Sequence, residues 1–245
     1  MNKHYIYGFH AVEAALSKPQ TNVLKLFYLK GRHDHRLQEI LTFVKNNNIA
    51  FEPIELRTLE GFVGHVTHQG IAAEIKSAEA RTENELYELL DSLKVEPLLL
   101  ILDGVQDPHN LGACLRTADA VGVHAVIVPK DNAVGLTPAV RKVASGAAET
   151  VPFFQVTNLA RTMRELKARG IWMIGAASEA TDNLFKENLS GPKAIVMGAE
   201  GEGLRRLTKE NCDHLLYIPM KGNVGSLNVS VATGIFLFEA IRQHS

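Results

Sequence analysis

Three polar segments late in the chain carry the residue types that chemistry needs, and each follows an apolar run that reads as a strand. The first, DGVQDPHNLGACLR over 103–116, leaves LLLIL and enters a helix. Asp107 before Pro108 is a helix start: a capping side chain, then a proline whose missing N–H is no loss in the first turn. Leu111, Cys114, Leu115 and Ala118 form the apolar stripe, which leaves Arg116 off the core face with Gly112 and Ala113 one turn before it. Helical side chains lean toward the N-terminus, so the guanidinium is expected over a nearly bare patch beside free backbone N–H groups. Such a place holds a phosphate or a developing oxyanion. Taken alone, a capping Asn110 and a solvated Arg116 account for the same residues.

The second segment, GAEGEG from Gly198 to Gly203, follows AIVM directly. Its glycines permit positive φ and close approach of backbone to a ligand. It has neither the GK[ST] ending of a P-loop nor the spacing of a dinucleotide turn. Glu200 and Glu202 would repel a pyrophosphate, each by roughly 1 kcal/mol at 4 Å in water and about 4 kcal/mol where partly shielded. A cationic cofactor suits this loop better, and S-adenosylmethionine, with a sulfonium, an ammonium and no phosphate, is such a group. The third segment, IPMKGNVGSLNVSVATG over 218–234, leaves a strand at Ile218 and turns back through Gly222 and Gly225. Ser226 and Asn228 then precede a helix whose Val229, Ala232, Thr233 and Phe236 share a stripe. One of Ser226 and Asn228 is expected to cap that helix and the other to face a ligand. Ile218 and Leu227 offer backbone groups and apolar contact to an adenine.

The elements that position these segments follow from periodicity. From Leu98 onward, apolar strands (LLLIL, AVIV, IWMIGA, AIVMGA, HLLYIP) alternate with helices near Asn110, Pro138–Ala144, Leu159–Lys167 and Val229–Arg242. That alternation predicts an α/β domain over residues 97–245 with a parallel sheet covered on both faces and a ligand site at the carboxyl ends of its strands. Residues 1–75 predict a separate small α/β module, with strands at Lys25–Leu29, Phe51–Ile54 and Ile71–Ile75 and helices at His10–Leu16, Arg36–Asn46 and near Leu59. Residues 76–96 read as a linker ending in a helix, with Leu86, Leu89, Leu90 and Leu93 on one face.

With a net charge of −1, the chain does not grip nucleic acid through overall basicity. Residues 1–75 hold 8 Lys+Arg against 7 Asp+Glu, 76–95 hold 3 against 5, and 96–245 hold 15 against 15, so any basic surface is local. Six of the ten histidines fall in the first module, as solvated surface groups or as groups that stack on bases. The absence of a membrane-length apolar run and of a signal-peptide pattern at the start leads to the expectation of a cytoplasmic protein without membrane association. Cys114 and Cys212 lie far apart without a CxxC, so a disulfide framework and a zinc site are not expected, and no metal is.

DPHNLGACLRTADAVGVHAVIVP, VMGAEGEGLRRL and IPMKGNVGSLNVSVATGIFLFEA resemble, in order and spacing, the three motifs of the SpoU/TrmH branch of the SPOUT methyltransferases. YGFHAVEAAL and HQGIAA resemble the substrate-binding domain of bacterial members that methylate a guanosine ribose in 23S ribosomal RNA. The resemblance implies a deep trefoil knot in the carboxy-terminal domain, which connection rules alone would not suggest. It implies a homodimer that brings the Arg of one subunit near the cofactor of the other. It also implies an amino-terminal RNA-binding domain like those of ribosomal proteins. Carried onto this chain, Gly198, Ile218 and Leu227 contact S-adenosylmethionine, with Met197, Ala199, Gly201, Gly203, Pro219 and Met220 beside them. Asn110, Arg116, Glu200, Ser226 and Asn228 line the reaction centre. The implied activity is 2′-O-methylation of 23S ribosomal RNA or a large-subunit precursor. Enzymes that methylate a transfer-RNA ribose share all three motifs but flank them with short helices instead of this amino-terminal module. A non-catalytic RNA-binding protein and a nucleotide-dependent oxidoreductase fit less well, the first because Asn110, Arg116 and Glu200 are intact, the second because a phosphate-binding turn is lacking.

Overall fold

Every residue from Leu98 to Asp103 is buried, which an extended segment achieves when both faces of its sheet are covered. This strand lies in the second of two units of the computed structural model, Met1–Ala78 and Glu79–Ser245, in which residues 4–17, 23–76 and 78–243 are described.

The first unit runs β1 His4–Tyr7, α1 Phe9–Leu16, β2 Val23–Leu29, α2 His35–Asn46, β3 Ala50–Ile54, α3 Leu56–Val63 and β4 Ile71–Ile75. The strands form a mixed sheet in the order β1-β4-β2-β3, with β4 antiparallel to both neighbours and β2 parallel to β3. Val12, Leu37 and Val44 of α1 and α2 pack with Leu26, Ile71 and Ala73 of the sheet. Leu59 of α3 covers the opposite face beside Phe27 and Ala72. Asp34 caps α2 by accepting from the Leu37 N–H at 3.1 Å. Strand β1, which periodicity did not reveal, offers a short polar run in which only Ile6 is core. His10, His33, His35 and His65 are exposed, whereas half-buried His68 accepts the Gly70 N–H through Nδ1.

The second unit comprises α4 Glu83–Ser92, β5 Leu98–Asp103, α5 Pro108–Ala120, β6 Ala125–Pro129, α6 Pro138–Ala144, α7 Ala147–Thr150, β7 Phe153–Val156, α8 Leu159–Ala168, β8 Trp172–Ala176, β9 Asp182–Asn183, a 3-10 turn Leu184–Lys186, β10 Lys193–Gly198, α9 Arg206–Glu210, β11 His214–Tyr217 and α10 Val229–Arg242. Its seven strands are parallel in the order β7-β6-β5-β10-β8-β11-β9. Alternation within each strand divides the core. Leu100, Leu102, Val126 and Ile195 pack with Leu111, Leu115 and Phe236 of α5 and α10. Leu99, Ile101, Ile127 and Val196 pack on the other face with Leu86, Met163 and Leu166 of α4 and α8. Helix α4 is fixed at its start by a capping box between Thr82 and Glu85. The strand order reverses at β5 and β10: the chain leaves β5 for β6 and β7 on one side, crosses to β8, and returns to insert β10 next to β5. A crevice at such a reversal, off the carboxyl ends of the strands, is where open α/β sheets take ligands.

Candidate active site

The reversal brings two of the three polar segments together. β5 and β10 are paired from Lys193 opposite Leu98 to Gly198 opposite Asp103, so both strands end at the same height. The turn after β5 leads through Asp107, which caps α5 by accepting from the His109 N–H at 3.0 Å, with Pro108 in the first turn. Asn110, three residues after the cap and only 7% exposed, therefore stands next to the glycine loop after β10. Helix α10 packs against α5 and delivers the third segment.

Asn228 joins all three. Its Oδ1 caps α10, accepting from the Ser230 N–H at 2.9 Å and the Ser230 hydroxyl at 2.6 Å. That fixes the orientation of the amide and leaves its two N–H groups for Asn110 Oδ1, at 2.9 Å, and for the Glu200 carboxylate. The Asn228 side chain is thus fully engaged, both as cap and as the link between Asn110 and Glu200. Ser226 does not cap; it is exposed and lines a cleft.

That cleft, of about 340 Å³, opens at the ends of β8, β10 and β11. Met197, Gly198, Ala199, Gly201 and Gly203 form one wall, and Ile218, Met220, Ser226, Leu227 and Phe236 contribute to the other. Among the described residues, Glu179, Glu200 and Glu202 are its charged residues, and no Lys, Arg or His lines it. Lys209 pairs with Glu179 and, by hydrogen bonding, holds its carboxyl below the ordinary range. Gly201 and Gly203 have φ of 81° and 67°, the left-handed region that this turn needs and glycine supplies. Exposed Pro219 does not line the cleft.

Arg116 is exposed, lines neither this cleft nor its neighbour, and makes no hydrogen bond or ion pair among the described residues. The bare patch expected one turn before it is corrected in part. Ala113 is half-buried, but Gly112 is a helix-crossing contact: a Cβ there would stand 2.6 Å from Val143 Cβ and 2.9 Å from the Val140 carbonyl oxygen. Gly112 lets α6 approach α5, and it is closed to an anion.

Sequence reasoning missed the group that anchors the glycine loop. Asp103, 0% exposed at the end of β5, accepts from the Arg205 backbone N–H at 3.0 Å, from its Nε at 2.6 Å and from its Nη2. The signal was present as an acidic residue closing an otherwise apolar strand. Removing the guanidinium leaves the buried carboxylate with the backbone N–H of residue 205 and without its cationic partner, so Arg205→Ala is expected to destabilise by about 3 kcal/mol. Thermal unfolding should register this as a fall of about 6–12 °C. A shift under about 1 °C in Tm would show the pair to be dispensable. The two thiols have no part in this site: burial pushes Cys114 up to about 11 and Cys212 up to about 12, far from a reactive thiolate.

Comparison with known proteins fits this geometry. Residues 97–238 match the family model described as the SpoU rRNA Methylase family, and residues 5–81 match RNA 2'-O ribose methyltransferase substrate binding. The chain is 55% identical over 238 residues to the 23S rRNA (guanosine-2'-O-)-methyltransferase RlmB of Pectobacterium atrosepticum, covering 97% of each chain. Against the Shewanella oneidensis protein of that name it is 56% identical, with 97% of this chain and 96% of that one covered. In fold it is similar to the SpoU methyltransferase AviRb from Streptomyces viridochromogenes, solved with AdoMet, at a TM-score of 0.75 and 22% identity, covering 99% of this chain and 90% of that one. The A. aeolicus TrmH/SpoU tRNA modifying enzyme, 32% identical with a TM-score of 0.55, covers 66% of this chain, and 82% of its own chain is covered. With a family model over more than half its length and relatives of this identity over nearly all of it, the chain belongs to the SpoU rRNA methylase family.

Proposed function

We propose that this protein transfers a methyl group from S-adenosylmethionine to the 2′-oxygen of a guanosine ribose in 23S ribosomal RNA. The observation that carries the reading is the Asn110–Asn228–Glu200 cluster beside a cleft with apolar walls, three carboxylates and, among the described residues, no cationic side chain. The donor set fits a ligand with a sulfonium and an ammonium and disfavours one with a phosphate. Gly198, Ile218 and Leu227 hold the cofactor, with Met197, Ala199, Gly201, Gly203 and Met220 around it. When bound, the cofactor supplies a methyl carbon activated by positively charged sulfur.

The residues of the chain do the rest. Asn110, Glu200 and Asn228 form one hydrogen-bonded group that keeps its polar atoms in place before the ribose arrives, so little reorganisation is left for the reaction. Ser226, at the edge of the cleft, supplies a hydroxyl within the same region. Arg116, without a hydrogen-bond or ion-pair partner among the described residues, positions a neighbouring phosphate and stabilises the alkoxide forming at the 2′-oxygen. A guanidinium with a pKa above roughly 12 is a poor base, so the proton leaves to a neighbour or to water.

The same reading includes a homodimer in which Arg116 of one subunit serves the cleft of another. It is supported by the exposure of Arg116, which makes no hydrogen bond or ion pair among the described residues, and by apolar Val231 and Phe238, 51% and 54% exposed on α10. It also includes a trefoil knot, supported by the insertion of β10 between β5 and β8. The first unit binds the RNA; its likeness to substrate-binding domains favours ribosomal over transfer RNA. Mapping 2′-O-methylation across total RNA from cells with and without the protein tests the assignment. Loss of one guanosine methylation in 23S ribosomal RNA is expected, and an unchanged ribosomal RNA map would refute it.

A further inference from the structure

A second cleft, of about 440 Å³, adjoins the first at the turn after β10 and shares lining with it: Ala199, Glu200, Glu202, Gly203 and Val229 line both. We propose that this second cleft takes the base of the nucleotide being methylated and reads it as guanine, through Asp107, Gln106 and Asn132. The proposal rests on the methyl-transfer reading above.

The position follows from the reaction. A 2′-oxygen in line with the methyl carbon has to lie near 3–3.5 Å from it, hence against the shared wall where Asn110 and Glu200 meet. Asn110 belongs to the second cleft and Glu200 to both. A ribose there has the cofactor on one side and the second cleft on the other, and its base enters the second cleft only if the nucleotide is turned out of any stack.

The chemistry of the lining decides what that base is. Arg205 is the one cationic side chain in it among the described residues, and Asp103 already engages that guanidinium, which leaves the cleft ill suited to a pyrophosphate. Asp107 uses Oδ1 to cap α5 and keeps Oδ2 unengaged. Gln106 and Asn132 are exposed and make no hydrogen bond among the described residues. Asp107, Gln106 and Asn132 thus bring to one lining a carboxylate oxygen and two side-chain amides that make no hydrogen bond among the described residues. A carboxylate accepts two adjacent N–H groups, which guanine presents at N1 and at its 2-amino group, while a side-chain amide donates to O6. Adenine would turn its N1 lone pair toward the carboxylate, and uracil has no second donor next to its ring N–H.

The test uses a 23S ribosomal RNA fragment containing the mapped site, with guanosine or inosine at the target; inosine lacks the 2-amino group. Wild-type protein should methylate the inosine RNA with kcat/KM about 10- to 100-fold lower. Asp107→Asn keeps a good capping side chain but replaces one acceptor by a donor. It should lose a similar factor on guanosine, become nearly indifferent to inosine, and bind S-adenosylmethionine as wild type does by calorimetry. Gln106→Ala and Asn132→Ala should lower kcat/KM with cofactor affinity unchanged. Equal wild-type rates on guanosine and inosine would overturn the proposal without any variant, as would an Asp107→Asn protein with wild-type kcat/KM on guanosine. A wild-type protein that neither binds the cofactor nor methylates the guanosine RNA would instead remove the methyl-transfer reading on which this one rests.

Discussion

Arg116→Ala is expected to slow methyl transfer by about 10²–10³-fold while leaving S-adenosylmethionine affinity and melting temperature at wild-type values. The side chain is exposed, has no hydrogen-bond or ion-pair partner among the described residues and lies outside both clefts, so its loss removes no folding contact seen there and no contact in the cofactor cleft. A surface change of that kind alters stability by under about 0.5 kcal/mol. In the proposed role, what is lost is a cation for the forming alkoxide and its flanking phosphate, an interaction made in the transition state, so kcat falls rather than cofactor affinity. Arg116→Lys separates this role from proton abstraction. A lysine places charge without the planar fork, and partial activity with an unmoved pH–rate profile is the result that electrostatic stabilisation requires. Recovery of most activity together with a shifted basic limb would assign Arg116 the part of general base.

Gly198→Ala should abolish measurable cofactor binding, a loss above about 100-fold, because the obstacle is backbone. A Cβ at 198 would overlap the carbonyl carbon and oxygen of Gly203 and the nitrogen of Leu204. No side chain can rotate away to relieve it. Either β10 or the turn must shift, and with the turn go Glu200 and its bond to Asn228. Overpacking of this kind costs about 1–3 kcal/mol of stability, so the variant should still fold, with a lowered Tm, and calorimetric titration should show flat heats with S-adenosylmethionine. Wild-type affinity in a folded Gly198→Ala protein would mean that the cofactor does not depend on this turn.

Much of this was legible in residues. The unbroken apolar runs LLLIL and AIVM announced a sheet covered on both faces, and Asp107-Pro108 announced the start of α5. Asn228 could be named as a cap candidate, but whether it or Ser226 did the capping depended on where α10 lay against α5, a contact between residues 118 positions apart. The Asp103–Arg205 anchor spans 102 positions and was silent for the same reason. Gly112 misled because a small residue looks alike in sequence whether it faces open space or a crossing helix. The edge strand β7 went unseen since its FFQV is too short for periodicity to separate from a turn.

The turn from Ala199 to Gly203 lines both clefts, which ties together the two ligands proposed for them. Because one short stretch of backbone is the partition between two compartments, any shift that an occupant of one imposes is felt by the occupant of the other. Cofactor and RNA should therefore bind as linked partners. Whatever factor S-adenosylmethionine adds to RNA affinity, RNA must return to the cofactor, and S-adenosylhomocysteine, without the methyl and the positive sulfur, should return a smaller one. Release of methylated RNA would then be driven in part by the change in charge next door.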